Sequence, residues 1–162
     1  YNSQINNSKY ATSTFVNTNF ANNIILNSED FNKFPSNTVI TSVKDLQKNT
    51  NLANMNLANF DLSNLTFNGT NFTNSIFKNT NLTNTVIKNS TLEKADFSGA
   101  VLTKTDFSNS MLTESIFKST KIDQVNFTNS DLTNSDFTDA EIKNTSFDKA
   151  KTSDIQGLDN SN

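Results

Sequence analysis

From Leu52 onward every fifth residue is apolar. The series runs Leu52, Leu57, Leu62, Phe67, Phe72, Phe77, Leu82, Ile87, Leu92, Phe97, Leu102, Phe107, Leu112, Phe117, Ile122, Phe127, Leu132, Phe137, Ile142 and Phe147, twenty positions holding only Leu, Phe or Ile. In a chain that is 33% hydrophobic, such a run has a chance probability of roughly one in 10⁹ or less. The flanking slots are ordered too. Two residues before each centre, thirteen of the twenty are Ser or Thr, and Ala95, Ala100 and Ala140 join them. Two residues after it, eleven are Asn, and Gly69 and Gly99 fall in the same slot.

A strict period of five suits neither regular element. On an α-helix five residues turn through about 500°, so successive centres spiral around the axis. On a straight strand an odd step alternates faces and leaves half of the Phe and Leu in water. The pattern closes if each pentapeptide is one short side and the chain bends every five residues. The centre and the residue two before it then point inward, and the other three point out. Asn and Gly supply the corner because they tolerate left-handed backbone best. Small Ser, Thr and Ala leave room for the large centres to stack, and their inward hydroxyls need partners, either turn carbonyls or one another. The fold class is all-β, a β-solenoid.

Blocks such as Ala95-Asp96-Phe97-Ser98-Gly99, Ser130-Asp131-Leu132-Thr133-Asn134 and Ser135-Asp136-Phe137-Thr138-Asp139 resemble the A(D/N)LXX unit of pentapeptide-repeat proteins, and the likeness covers residues 50–149 without a break. The resemblance implies a right-handed quadrilateral β-helix with four pentapeptides per coil, hence about five continuous coils. The residues alone leave the number of sides open. Ser75-Ile76-Phe77-Lys78 returns at Ser115-Ile116-Phe117-Lys118, 40 residues on, whereas Asn71-Phe72-Thr73-Asn74-Ser75 is echoed at 126–130, an offset of 55.

The two ends depart from this regularity. Ile5, Tyr10, Phe15, Phe20 and Ile25 are again five apart, which reads as an N-terminal pentapeptide coil over 1–27. Residues 28–49 interrupt the register and hold the only Pro, Pro35, so they read as an insertion or cap. Within them, Ser42-Val43-Lys44-Asp45-Leu46 has the pattern of a short helix with Ser42 as N-cap. Met55, Phe60 and Leu65 then replace the usual small inward residues, which predicts a fatter core packed against the insertion. At the other end the pattern fails at Thr152, and 150–162 reads as a polar tail. Leu132, Phe137, Ile142 and Phe147 are therefore expected to form an apolar floor with strand edges open to pairing. That floor predicts end-to-end self-association, as a homodimer or a longer stack.

Composition removes much chemistry. The chain has no Cys, His, Trp or Arg, and all 13 positive charges are Lys. It therefore has no thiolate nucleophile, imidazole base or zinc site of the usual ligand types, no disulfide, and no planar guanidinium fork. Three Gly are too few for a calcium β-roll. Asp136 and Asp139 form a carboxylate pair that acid–base chemistry could use, but they fall in outward slots of a convex rod. The reading is non-enzymatic, with no cofactor and no metal. The longest apolar run, Ile24-Ile25-Leu26, falls far short of the about 18 residues of a membrane span. A net charge of −3 without Arg disfavours nucleic acid as a partner. The chain opens on Tyr1 rather than Met, which is compatible with an upstream signal segment.

Three partner readings follow. Some pentapeptide-repeat proteins, the quinolone-resistance type among them, present an acidic rod to DNA gyrase or topoisomerase IV, so the resemblance brings in DNA mimicry as an alternative. A duplex carries one charge about every 1.7 Å, whereas residues 50–149 hold eleven acids and eight Lys. Only the last coil is biased, with Asp131, Asp136, Asp139, Glu141 and Asp148 against Lys143 and Lys149. Ice binding needs an unbroken Thr array, and the column Ala53, Thr73, Glu93, Thr113, Thr133 is interrupted by a glutamate. The leading reading is a non-catalytic rod, a protein-interaction or structural scaffold. Its candidate apolar contacts are Ile76 and Ile116, which share a column with Asp96 between them if coils have four sides.

Overall fold

The structure is a computed structural model, and it describes Ile5–Asn6, Val39–Ile40, Val43–Lys48 and residues 50–158. Strands β1 (Ile5–Asn6) and β2 (Val39–Ile40) pair antiparallel, with Ile5 opposite Ile40. A 3₁₀ helix covers Val43–Lys48, where the sequence predicts a short helix. The rest of the 1–27 stretch read as a coil, and Ser42, lie outside the described residues.

From residue 50 onward the chain is a β-solenoid. Asn51 bridges to Asn71, Asn71 to Thr91, Thr91 to Met111, Met111 to Asp131 and Asp131 to Lys151, every bridge parallel and every step 20 residues. The same step joins β3 (Lys121–Asp123) to β4 (Glu141–Lys143). Each turn of the solenoid therefore takes four pentapeptides. Two hydrogen bonds per side run forward, as from Leu52 N–H to Asn71 O (2.7 Å) and Asn54 N–H to Thr73 O (2.8 Å). One runs back, as from Asn71 N–H to Thr50 O (2.9 Å).

The corner slot behaves as its composition predicts. All of the slots from Asn54 to Asp154 have positive φ, between 50° and 68°. Most close a tight turn, as where Ser75 N–H reaches Phe72 O at 3.0 Å across Asn74; at others the N–H donates to a hydroxyl of the next turn, as from Met55 N–H to Ser75 Oγ at 3.1 Å. A positive φ at the third position is what a type II turn demands. The outward residue before the centre locks the next bend. Asn71 Oδ1 accepts from Thr73 N–H (3.0 Å) and Thr73 Oγ1 (2.7 Å), and Asp136 Oδ1 does the same with Thr138 (2.9 and 2.6 Å).

Inside, the centres form columns. Phe77, Phe97, Phe117 and Phe137 stack with centroids 4.7, 4.9 and 4.6 Å apart. Phe107, Phe127 and Phe147 stack at 5.4 and 5.2 Å on the opposite side. The two stacks meet edge-on across the core, as between Phe117 and Phe127 at 5.8 Å and 84°. Leu and Ile fill the other two sides apart from Phe72, which meets Phe67 and Phe77 edge-on, each at 5.2 Å. Most inward hydroxyls donate to the centre carbonyl of the preceding turn, as from Ser75 Oγ to Leu52 O and Thr80 Oγ1 to Leu57 O, both 2.8 Å, while Ser130 and Ser135 reach Phe127 O and Leu132 O of their own turn. Among the described residues no buried side-chain N or O atom lacks a partner.

The ladder runs past the boundary expected at 149. Leu132 N–H reaches Lys151 O (2.9 Å), Asn134 N–H reaches Ser153 O (2.9 Å) and Phe137 N–H reaches Gln156 O (2.8 Å). Thr152 interrupts the side-chain pattern, while the backbone pattern persists. Gly157 then closes the Phe137 column. A Cβ there would lie 2.5 Å from Thr138 N, so only glycine lets the backbone settle onto that turn.

Candidate functional site

Two of the five outward acids expected to form a partner surface are engaged within the chain. Asp131 Oδ2 pairs with Lys151 Nζ at 3.0 Å, and its Oδ1 holds the Thr133 N–H and hydroxyl. Asp136 Oδ2 pairs with Lys118 at 3.0 Å. The Thr133 hydroxyl, working against burial and helped by Lys151, holds the Asp131 carboxyl below its usual range. At Asp136 burial pushes upward, but the Thr138 hydroxyl and N–H together with Lys118 outweigh it. Asp139 sits on a corner with φ 59°, and Glu141 and Asp148 are exposed on other sides. The five acids are thus spread around the rod, with two of them neutralised. Middle turns repeat the device, through Lys78–Asp96 at 3.1 Å and Lys88–Asp106 at 3.6 Å.

Ile76 and Ile116 do share a column, each bridged to Asp96. Ile76 is 37% exposed, while Ile116 is half-buried. The more exposed apolar residue is Met111 at 47%, on the neighbouring side. The Lys78–Asp96 ion pair lies between the two isoleucines, so they do not merge into one patch.

The expected apolar floor is displaced by one step. Leu132 and Phe137 are wholly buried, because the segment 151–157 is laid over them as a further rung. Ile142 and Phe147 remain partly exposed. With Ala140, Ile155 and Leu158 they line an open hollow of about 850 Å³ at the C-terminal end, rimmed by Lys143, Asn144, Thr145, Thr152 and Asp154. The signal for this shift was Ile155, five residues beyond Ala150 in the inward slot.

The description "pentapeptide repeat region" matches residues 50–127 and 91–156, together more than half of the 162 residues. The chain belongs to the pentapeptide-repeat family. Among solved structures, this pentapeptide-repeat protein is similar to HetL, involved in heterocyst differentiation regulation, from the cyanobacterium Nostoc sp. Strain PCC 7120. That pair shares 23% identity over 65% of this chain and 51% of HetL, with a TM-score of 0.44. The chain thus spans about half of HetL. It is also similar to a thylakoid-lumen pentapeptide repeat protein of Arabidopsis thaliana, at 26% identity over 70% of this chain and 74% of that one, TM-score 0.44. QnrB1, a plasmid-mediated fluoroquinolone resistance protein, matches at 18% identity over 68% of this chain and 80% of its own, TM-score 0.23. No curated protein matches the chain. Family membership rests on the repeat match. No helix among the described residues is long and apolar enough to cross a membrane.

Proposed function

We propose that this pentapeptide-repeat protein is a non-catalytic rod, a right-handed quadrilateral β-helix of about five continuous coils from residue 50 onward. It acts as a protein-interaction or structural scaffold that self-associates at its C-terminal end. The observation that carries this reading is the open hollow at that end, with Ile142, Phe147, Ile155 and Leu158 on its floor beneath a polar rim. Partly buried apolar side chains beside open strand edges favour a protein partner. The long sides offer little competition, since their Asp and Asn side chains are spent on holding corners and pairing with Lys. The same pairing favours a scaffold over a topoisomerase-binding mimic of DNA, because a mimic needs an unbroken run of negative charge.

Sedimentation velocity tests the reading. The protein associates at tens of micromolar, and the double variant Ile155→Asp, Leu158→Asp returns it to a monomer with its β-sheet circular dichroism intact. A wild-type protein that stays monomeric in that range overturns the proposal.

A further inference from the structure

The coil at 50–69 differs from those after it on the side of the 3₁₀ helix. Its inward slots hold Met55, Phe60 and Leu65 where later turns hold mostly Ser, Thr or Ala. Met55 and Leu65 are buried, and Phe60 packs half-buried against the same core. Leu46, contributed by the helix, is wholly buried in that cluster. The enlarged slots and the incoming leucine form a matched plug.

The backbone is sealed at the same place. In later turns the residue before each centre donates its N–H to the carbonyl 21 residues back: Asn71 to Thr50, Ile76 to Met55, Asn81 to Phe60, Val86 to Leu65. Thr66 holds this position in the first coil, and its N–H donates instead to Gln47 Oε1 at 2.7 Å. Gln47 Nε2 donates to Lys44 O at 3.2 Å, which turns the amide so that its oxygen faces the coil. A side chain stands where the backbone of a preceding rung would stand. At the other end, the carbonyls of Thr145, Ala150 and Ile155 occupy the complementary slot and have no ladder partner among the described residues. By the 20-residue rule, a rung carrying those carbonyls is what the first coil would accept in place of the helix.

We propose that Val43–Lys48 is an autoinhibitory cap. Leu46 and Gln47 occupy a strand-accepting edge that otherwise takes the C-terminal rung of a second copy, head to tail. The identity of the incoming edge rests on the self-association reading above. With the cap closed, the C-terminal end is the open coil edge among the described residues, and a contact between two such ends closes at two. With it open the contact is heterologous, and nothing limits its growth into a stack.

The test compares the wild-type chain with Gln47→Ala and Leu46→Asp by sedimentation and light scattering over a concentration series. Either variant is expected to at least double the weight-average mass, in species that lengthen with concentration, while the β-sheet spectrum is retained. Adding Ile155→Asp and Leu158→Asp in cis abolishes that growth. Folded cap variants with wild-type mass overturn the cap, and growth that survives the C-terminal substitutions overturns the head-to-tail occupant. Gln47→Ala removes the amide that accepts from Thr66 and donates to Lys44 O but leaves the buried Leu46 in place, so it decides the matter even if Leu46→Asp fails to fold. A monomeric wild type with stacking cap variants ends the closed-dimer reading and supports the cap.

Discussion

The corners at 54–89 and those at 94–124 carry one backbone conformation on different side chains. The first group is seven Asn and Gly69. Its amides form ladders down the rod, as from Asn74 to Asn54 (3.3 Å), Asn79 to Asn59 (3.4 Å) and Asn84 to Asn64 (3.2 Å). The second group includes Lys94, Lys104, Glu114, Ser119 and Gln124, with φ between 53° and 58°. Left-handed backbone costs such residues roughly 1–2 kcal/mol each. The core changes in the opposite sense. Phe holds three of the eight centres from 52 to 87 and three of the six from 97 to 122, where face-to-face stacks run from turn to turn. One geometry is thus held from its rim in one region and from its core in the other. Where the core holds the turn, the corner side chain is free to serve the outside.

The largest effect expected from this contrast falls on Phe117, which stacks on Phe97 and Phe137 and meets Phe107 and Phe127 edge-on. Phe117→Ala lowers stability by about 3–5 kcal/mol, read from the denaturant midpoint at unchanged slope. A loss no greater than that of Leu82→Ala, in a column without aromatic stacks, would show that stacking adds nothing beyond burial.

Corner substitutions come next and have opposite signs in the two regions. Asn84→Ala removes both a residue tolerant of φ 57° and the amide bonded to Asn64, and costs about 1–2 kcal/mol. Gln124→Gly relieves a corner with φ 56°. Set against the greater chain entropy of glycine, it gains about 0.5–1 kcal/mol. Thermal melts of the two variants check the pair. Equal losses at both sites would erase the distinction between rim-held and core-held turns.

Much of this was legible because a corner every fifth residue writes itself into three slots at once. Apolar centres, small inward residues and Asn or Gly at the bend each repeat independently. The number of sides is also written in the order of the centres. From Leu92 to Phe147 the centres alternate strictly between aliphatic and Phe. If like stacks on like, as it does here, the coil has an even number of sides. The 40-residue echo of Ser75–Lys78 is two full turns and reproduces an ion pair, Lys78–Asp96 and then Lys118–Asp136. The 55-residue echo crosses from one side to another and repeats local corner contacts, Thr73 N–H to Asn71 and then Thr128 N–H to Asn126. What composition could not show was the local use of charge. Asp131 and Asp136 look like free surface acids in the sequence, and only their geometry shows them bracing Thr133 and Thr138. The terminal rung was hidden because Thr152 and Gly157 stand where Leu or Phe was expected, and backbone hydrogen bonding carries the register through them.

The smallest expected effect concerns those same carboxylates. Ser63 holds Asp61 low in the first coil. In the later coils burial pushes Asp96 up, but Ser98 and Lys78 outweigh it, and Asp131 and Asp136 are lowered as described. A carboxyl whose folded pKa lies below its unfolded value of about 3.8 favours the fold above that pH. The contribution is lost as pH falls through the lower, folded value. The thermal midpoint should therefore stay level from neutral pH down to the onset of carboxyl titration and decline below it. Asn is the substitution that isolates charge, because Asn71 and Asn81 already make the same contacts to Thr73 and Thr83 at equivalent slots. The triple variant Asp96→Asn, Asp131→Asn, Asp136→Asn should flatten the acid decline, whereas Asp61→Asn should flatten it less. If Asp61→Asn has the larger effect, the acid-sensitive contacts lie in the rim-held coil, and the later coils depend on their carboxylates less than their ion pairs suggest.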